Sequence, residues 1–259
     1  MSNHFIMPYV GNKRKEYKEF IKNIDINKYN IIIENFCGSS AISFNIWKND
    51  ESKNKIYYLN DLNKDIYDIY QLIKTDTPEN ILIELNKILE TITDKEIFLT
   101  EFKKKNKTIY EKLFFFKYYT IRVGLYPLED RCKEFKFTKE QYLFFDFIKS
   151  PNVIITNGEW YEKFNEFKDD EEALFILDPP YLNSTNQHYN LNGNDNSGKM
   201  NVYEYFYNNT INNYKSKIVF ILEDIWIIRL LFKNNILSSY AKKYETISKK
   251  KTTHLIISN

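Results

Sequence analysis

The segment formed by residues 173–181 constrains the fold of this chain more than any other. An apolar run, Ala-Leu-Phe-Ile-Leu, leads directly into Asp178, Pro179, Pro180 and Tyr181. A short apolar run bounded by prolines is typical of a buried strand, and the prolines end it because they fix φ and lack an N–H donor. The segment therefore predicts a strand with an acid at its carboxyl end, where ligands bind in open α/β sheets.

The turn after this run carries a particular set of chemical groups. The Asp178 carboxylate and the carbonyls of Asp178 and Pro179 are hydrogen-bond acceptors, and Tyr181 adds a flat aromatic face. Clustered acceptors beside a ring suit a planar group with an exocyclic amine, such as a nucleobase pulled out of a helix. For this segment taken alone, an ordinary proline turn with a capping aspartate is the alternative.

Two earlier segments have the layout of a cofactor site. An isoleucine run at 31–33 enters a turn of mostly small residues around Gly38, and a helical pattern follows. A second predicted strand, 55–59, leads to Asp61, about twenty residues after that turn, and acids at this spacing hydrogen-bond ribose hydroxyls in nucleoside-binding folds. The alternative is that Asp61 or Asn60 caps the helix that follows.

Apolar patterns elsewhere alternate between strands and helices, which predicts an α/β fold with a mostly parallel sheet and helices on both faces. Residues 76–150 interrupt this alternation with polar helical patterns. We therefore predict one α/β domain, residues 1–75 and 151–259, with an insert at 76–150. The strands are predicted at 29–34, 55–59, 153–156, 174–177, 217–222 and 255–258, and helices at 15–24, 40–48, 62–74 and 112–119.

Composition sets broad limits on the chain. Its 259 residues, 43% of them hydrophobic, allow one sizeable core, and no apolar run has membrane-spanning length or the features of a signal peptide. We therefore expect an intracellular protein. The cysteines and histidines lack paired or metal-ligand spacing, so we predict no disulfide framework and no metal, and we expect the histidines at the surface. These residues are Cys37, Cys132, His4, His188 and His254.

Four motifs, taken in order along the chain, resemble those of Dam-type DNA adenine-N6 methyltransferases. The order is cofactor motif, recognition insert and catalytic motif, and the resemblance covers about residues 5–70 and 150–225. One departure is Ser40, which stands where the family usually has a second glycine. The motifs are Tyr9-x-Gly11-x-Lys13, Phe36-x-Gly38, Asn60-Asp61-x-Asn63 and Asp178-Pro179-Pro180-Tyr181.

This resemblance implies a Rossmann-like fold dependent on S-adenosylmethionine (AdoMet) and methyl transfer to the N6 of a flipped adenine in double-stranded DNA, an activity typical of restriction–modification systems. Asp178 and the Pro179 carbonyl would accept the amine hydrogens, and Tyr181 would stack on the base. The cofactor residues that the resemblance implies are Tyr9, Gly11 and Lys13 at the methionine end, Phe36 and Gly38 at the floor of the pocket, Ser40 at the family's second-glycine position, Asp61 at the ribose, Glu159 and Trp160 beside the adenine ring, and Asp178.

The insert is where the family contacts DNA. A lysine cluster there gives candidates for phosphate binding, and Arg122 is a candidate base reader. The net charge of +2 is compatible with this, because a footprint on DNA depends on where charge lies. The insert lacks the family's glycine-rich hairpin, of which residues 123–126 are the nearest remnant, so no target sequence is predicted. The lysines are Lys103, Lys104, Lys105 and Lys107.

Two other functions are compatible with the same residues. One is a methyltransferase with this catalytic turn that acts on RNA or on another amine. The other is a non-catalytic subunit that binds AdoMet or DNA. The aspartate at 178, the motif order and the insert favour adenine in DNA, and the sequence predicts no oligomeric state.

Overall fold

The computed structural model describes residues 13–119, 134–182, 197–243 and 251–259. Within these ranges the chain forms a single seven-stranded sheet in the order β3-β2-β1-β4-β5-β7-β6. The strands are β1 (Ile31–Asn35), β2 (Ile56–Asn60), β3 (Val153–Thr156), β4 (Ala173–Leu177), β5 (Lys217–Glu223), β6 (Ile236–Lys243) and β7 (Lys251–Ser258).

The first five strands run parallel to one another. β1 lies at the centre, paired with β2 on one side and with β4 on the other, and β5 continues the sheet beyond β4. β7 then pairs antiparallel with β5 and with β6, which closes the sheet with an antiparallel edge. The predicted α/β class with a mostly parallel sheet is confirmed.

The central strand β4 is apolar along its whole length because both faces of the sheet are covered. Every residue of β4 is buried. Since side chains alternate between faces, Leu174 and Ile176 pack into one core and Phe175 and Leu177 into the other. The two cores lie on opposite faces of the sheet, so helices cover both faces as predicted.

Ten α-helices lie among the described residues, and several begin at a polar cap. Asn63 accepts a hydrogen bond from the Asp65 backbone at the start of α3, and Thr138 forms a capping box with Gln141 at the start of α7. The helices are α1 (Arg14–Asn23), α2 (Ala41–Asn49), α3 (Lys64–Thr75), α4 (Pro78–Thr91), α5 (Lys95–Lys103), α6 (Ile109–Tyr119), α7 (Lys139–Lys149), α8 (Trp160–Phe167), α9 (Ser197–Asn208) and α10 (Trp226–Leu231).

Helices α4 to α7 lie between α3 and β3 in the chain, within the range expected to be an insert. Their aromatic residues do not form a separate core. Phe114 and Phe144 belong to the same buried cluster as Ile32 of β1 and Ile42 of α2. The segment is therefore packed directly onto the sheet domain on one face.

The carboxyl-terminal hairpin differs most from the sequence-based expectation. The closing strand β7 begins at Lys251, four residues before the predicted start at residue 255, and β6 was not predicted at all. Residues 236–241 of β6 alternate between half-buried and exposed, as in an edge strand, and the strand is mostly polar after Leu237, so its sequence has no long apolar run. The expectation that His254 lies at the surface is wrong, because it is 0% exposed on β7.

The described residues include neither a membrane-spanning helix nor a metal-binding cluster. None of the helices there is long and apolar enough to cross a membrane. In the same part of the chain, no group of three or more His, Cys, Asp or Glu side chains is placed to hold a metal ion.

Candidate active site

The candidate site lies at the carboxyl ends of three neighbouring strands. Asn35, the last residue of β1, is in register with Asn60 of β2 on one side and with Leu177 of β4 on the other. The turn after β1, Asp61 after β2 and Asp178 after β4 therefore follow at the same edge of the sheet. Parallel pairing brings together three motifs that are far apart in the sequence.

The turn after β1 has an unusual backbone. Three of its residues have positive φ: 60° at Phe36, 48° at Gly38 and 49° at Ser40. For a residue with a side chain, this left-handed conformation costs about 1–2 kcal/mol. The Ser40 N–H donates to the Cys37 carbonyl at 2.6 Å, and the Cys37 N–H donates to the Asn60 carbonyl at 3.0 Å. The position where the family usually has glycine is thus one where the fold requires left-handed backbone.

Tyr70 of α3 supports this turn from beneath. Its hydroxyl donates to the Gly38 carbonyl at 2.7 Å and lies 2.9 Å from the Ser40 hydroxyl oxygen. A phenol has one hydrogen, so with that hydrogen on Gly38 the Ser40 hydroxyl donates to Tyr70. Tyr70 and Ser40 are both 0% exposed. Sequence reasoning missed Tyr70, since a tyrosine on the apolar face of a helix is indistinguishable from a core residue.

Glu34 on β1 fixes the helix that follows the turn. The Glu34 side chain, 5% exposed, accepts a hydrogen bond from the Ser43 N–H at 2.9 Å, in the first turn of α2. Helix amino termini favour a negative charge there. Burial nevertheless raises the pKa of Glu34 to about 7, against the lowering effect of the Ser43 hydrogen bonds. The sequence-based prediction did not include Glu34.

Asp61 connects the turn after β1 to the start of α3. One carboxylate oxygen accepts from the Gly38 N–H and the other from the Asn63 N–H, both at 2.9 Å. Burial raises the pKa of Asp61 to about 6, although these hydrogen bonds lower it. Asn63, and not Asp61 or Asn60, is the residue that caps α3.

The loop after β3 leaves Glu159 partly exposed but buries the Trp160 side chain. Glu159 precedes α8 and is partly exposed. The Trp160 side chain is 4% exposed and packs against Tyr205 and Phe206, with ring centroids 5.3 and 5.6 Å away. The Asn35 amide donates to the Trp160 carbonyl at 3.1 Å, which ties this loop to β1. The Trp160 ring thus lies in the core beneath the site, so this packing does not support a direct contact with a ligand.

At the turn after β4, the Lys13 side chain contacts Asp178 and Tyr181. The Lys13 ammonium forms an ion pair with the Asp178 carboxylate and lies 5.3 Å from the Tyr181 ring centroid. The Tyr181 hydroxyl lies within hydrogen-bond distance of two groups, 3.3 Å from Asp178 Oδ1 and 3.1 Å from Nδ1 of His254. Lys13 is 6% exposed, and Pro179 is also buried. Three charged or polar groups therefore converge on Tyr181.

The remaining predicted site residues lie in the segment at 76–150 or outside the described ranges. Lys103 and Lys105 are exposed, and Lys104 pairs with Glu101 at 3.3 Å and with Glu111 at 3.4 Å. Lys107 lies over the Phe102 and Phe115 rings. Tyr9, Gly11 and Arg122 fall outside the described residues.

Comparison with known families agrees with this arrangement. A family model for the D12 class N6 adenine-specific DNA methyltransferases matches residues 9–254. This range includes Lys13, both turns and the first part of β7, as far as His254. A search of curated proteins gave no match.

Proposed function

The chain belongs to the D12 class of N6 adenine-specific DNA methyltransferases, and we propose that it transfers a methyl group from AdoMet to the N6 of an adenine flipped out of a specific double-stranded DNA site. The observation that carries the proposal is the register of β1 with β2 and β4, which places Asp178 beside the turn at 36–40 and Asp61.

The residues after β1 and β2 fit AdoMet by the chemistry of their donors and acceptors. Each Asp61 oxygen accepts one backbone hydrogen bond and can accept a second, which leaves capacity for both ribose hydroxyls. Phe36 and Gly38 would form the floor of the pocket, with Ser40 behind them, and Glu159 would border the adenine ring above the buried Trp160. AdoMet supplies a methyl group on a positively charged sulfur.

Lys13, with Tyr9 and Gly11, would hold the methionine end. An ammonium group has three donors. The Lys13 ammonium pairs with Asp178, so it lies at the boundary between the cofactor and the catalytic turn. There it can also bind a carboxylate. In this role Lys13 would hold the Asp178 carboxylate in place before the target base arrives.

Asp178 and the Pro179 carbonyl would accept the two hydrogens of the adenine amine. The lone pair of that amine is delocalised into the ring, which makes it a poor nucleophile. Hydrogen bonds to both N–H groups draw the nitrogen toward sp³ geometry and direct its lone pair at the methyl group. The nitrogen would become positively charged as its bond to the methyl carbon forms and the sulfur–carbon bond breaks, and the Asp178 carboxylate would stabilise that charge. The nitrogen would then release one proton to solvent. Pro180 completes the turn that presents Tyr181 to the base.

The helical segment at 76–150 is proposed as the DNA-recognition insert of the catalytic domain at 1–75 and 151–259. Exposed lysines there would contact phosphates, and Arg122 would read a base. Lys107 is partly held over aromatic rings, so Lys103, Lys104 and Lys105 are the more accessible part of the cluster.

The test compares Asp178→Ala with the parent in single-turnover methyl transfer to duplex DNA. We expect loss of transfer, with AdoMet affinity by calorimetry within several-fold of the parent. Asp169→Ala is the matched control, because this exposed aspartate precedes β4 at the opposite edge of the sheet. Substantial transfer by Asp178→Ala would remove Asp178 from the reaction.

The same assay separates the alternative substrates. Transfer to duplex DNA but not to single-stranded RNA supports the proposal, whereas preferential transfer to RNA would assign a different substrate. AdoMet or DNA binding by the parent without any transfer would identify a non-catalytic subunit.

A further inference from the structure

Tyr181 contacts a residue from a distant part of the chain that no motif includes. His254 lies on β7, in register with Glu223 of β5 and with Tyr240 of β6. β5 separates β7 from β4 in the sheet. Tyr181 therefore crosses the carboxyl end of β5 to reach the antiparallel hairpin, and this hairpin becomes part of the wall of the catalytic turn.

The His254 ring is held in place by its surroundings. It is 0% exposed. The Tyr181 ring packs edge-on against it, with centroids 5.2 Å apart and an interplanar angle of 86°. Tyr240 lies on the β6 side at 5.5 Å. A ring packed on two sides has few accessible rotamers, so its Nδ1 atom is a fixed hydrogen-bonding group.

The Tyr181 hydroxyl is shared between two partners. It lies 3.1 Å from His254 Nδ1 and 3.3 Å from Asp178 Oδ1. A phenol has one hydrogen. If Tyr181 donates to Asp178, then His254 donates to Tyr181. If Tyr181 donates to His254, its hydroxyl does not donate to the Asp178 oxygen. In both arrangements His254 sets where the hydroxyl lies.

We propose that His254 is a positioning residue that holds Tyr181 at the angle required to stack on the extruded adenine. It also weakens the hydrogen bond between the Tyr181 hydroxyl and Asp178. This inference rests on the proposed function. AdoMet would bind at the ends of β1 and β2, so the effect of His254 is confined to the base. Loss of one hydrogen bond to the hydroxyl predicts about a fivefold slower transfer at saturating DNA and AdoMet.

The decisive test is a double-mutant cycle with His254→Phe and Tyr181→Phe. His254→Phe keeps a ring against Tyr181 and removes Nδ1, while Tyr181→Phe removes the hydroxyl that Nδ1 contacts. Single-turnover rates on unmethylated bacteriophage DNA are measured for both variants and for the double variant. If His254 acts through the hydroxyl, each single variant loses about fivefold and the double variant loses no more than either.

Two further variants separate positioning from stability. His254→Asn retains a polar group near the position of Nδ1, and we expect it to stay within about twofold of the parent rate. Ser258→Ala is the matched control, since Ser258 is a buried β7 residue whose hydroxyl donates to the Ile218 carbonyl at 2.8 Å at the other end of the strand. It should lower the unfolding temperature without slowing transfer, and AdoMet affinity should not change in any variant.

The measured rates separate failure of the His254 positioning role from failure of the proposed function. Losses that multiply in the double variant, to about twenty-fivefold, would overturn the positioning role and leave the proposed function intact. A His254→Phe rate equal to that of the parent would overturn it as well. Absence of transfer by the parent would overturn the proposed function and this inference with it.

Discussion

Tyr70→Phe tests how the left-handed turn after β1 is stabilised. The substitution removes only the hydroxyl, which donates to the Gly38 carbonyl at 2.7 Å and accepts from Ser40 at 2.9 Å. Two hydrogen bonds are lost, each with a net contribution of about 1 kcal/mol, and a carbonyl and a hydroxyl remain buried without these partners. We expect a loss of about 2–4 kcal/mol in the free energy of unfolding.

A matched control is available in the same core. Tyr57 is 0% exposed, and among the described residues its hydroxyl has no hydrogen-bond partner. Tyr57→Phe therefore deletes an identical group that contributes no hydrogen bond, and we expect it to be neutral or slightly stabilising. Urea unfolding of both variants gives the comparison, and calorimetric titration with AdoMet reports whether the turn still binds the cofactor.

Ser40→Gly separates backbone strain from the hydrogen bond. Glycine at φ 49° relieves about 1 kcal/mol or slightly more of strain, while the lost hydrogen bond to Tyr70 costs about 1 kcal/mol. The variant should therefore be close to the parent in stability. A Tyr70→Phe loss below about 0.5 kcal/mol, or one equal to that of Tyr57→Phe, would refute the reasoning.

Three further predictions concern charge. Because burial raises the pKa of Asp61 to about 6, its ionised form is lost below that pH, so AdoMet affinity should fall as pH decreases through 6, and Asp61→Asn should abolish this dependence in calorimetry. Burial raises the pKa of Glu34 from 4.5 to about 7, so the contribution of Glu34 to stability is fully present below pH 4.5 and is lost as the pH rises through 7. Relative to Glu34→Gln, the parent should be about 3 kcal/mol less stable at pH 8 than at pH 4 in urea unfolding. Replacing Lys103, Lys104, Lys105 and Lys107 together by Gln should reduce the slope of log K against log salt by about one per true phosphate contact in a DNA-binding series, and an unchanged slope would exclude the cluster from the interface.

The sequence was most informative for a strand that is buried on both faces of the sheet. Residues 173–177 are apolar throughout because both faces of β4 are covered, so the strand, its end at Asp178 and the parallel sheet could be predicted. The turn after β1 was also recognisable, including the departure at Ser40. These features depend on local composition, which a sequence displays directly.

The side-chain roles that could not be predicted depend on contacts between residues far apart in the sequence. Tyr70 is an apolar-face residue in its own helix, and only its distance to Gly38 reveals the role of its hydroxyl. His254 lacks metal-ligand spacing, yet the antiparallel hairpin buries it against Tyr181. Trp160 follows an acid at a loop, as a ligand contact would, but packs into the core beneath it. Each of these depends on residues more than thirty positions away or on a polar edge strand.

The most direct measurement of the central claim is sequencing that detects N6-methyladenine in DNA from cells that express the chain. We predict N6-methyladenine at one recurring sequence in cells with the parent protein and none in cells with Asp178→Ala. Asp169→Ala should give the same pattern as the parent. Methylation of another base, methylation that persists in Asp178→Ala, or no methylation by a folded parent protein that binds AdoMet would contradict the account.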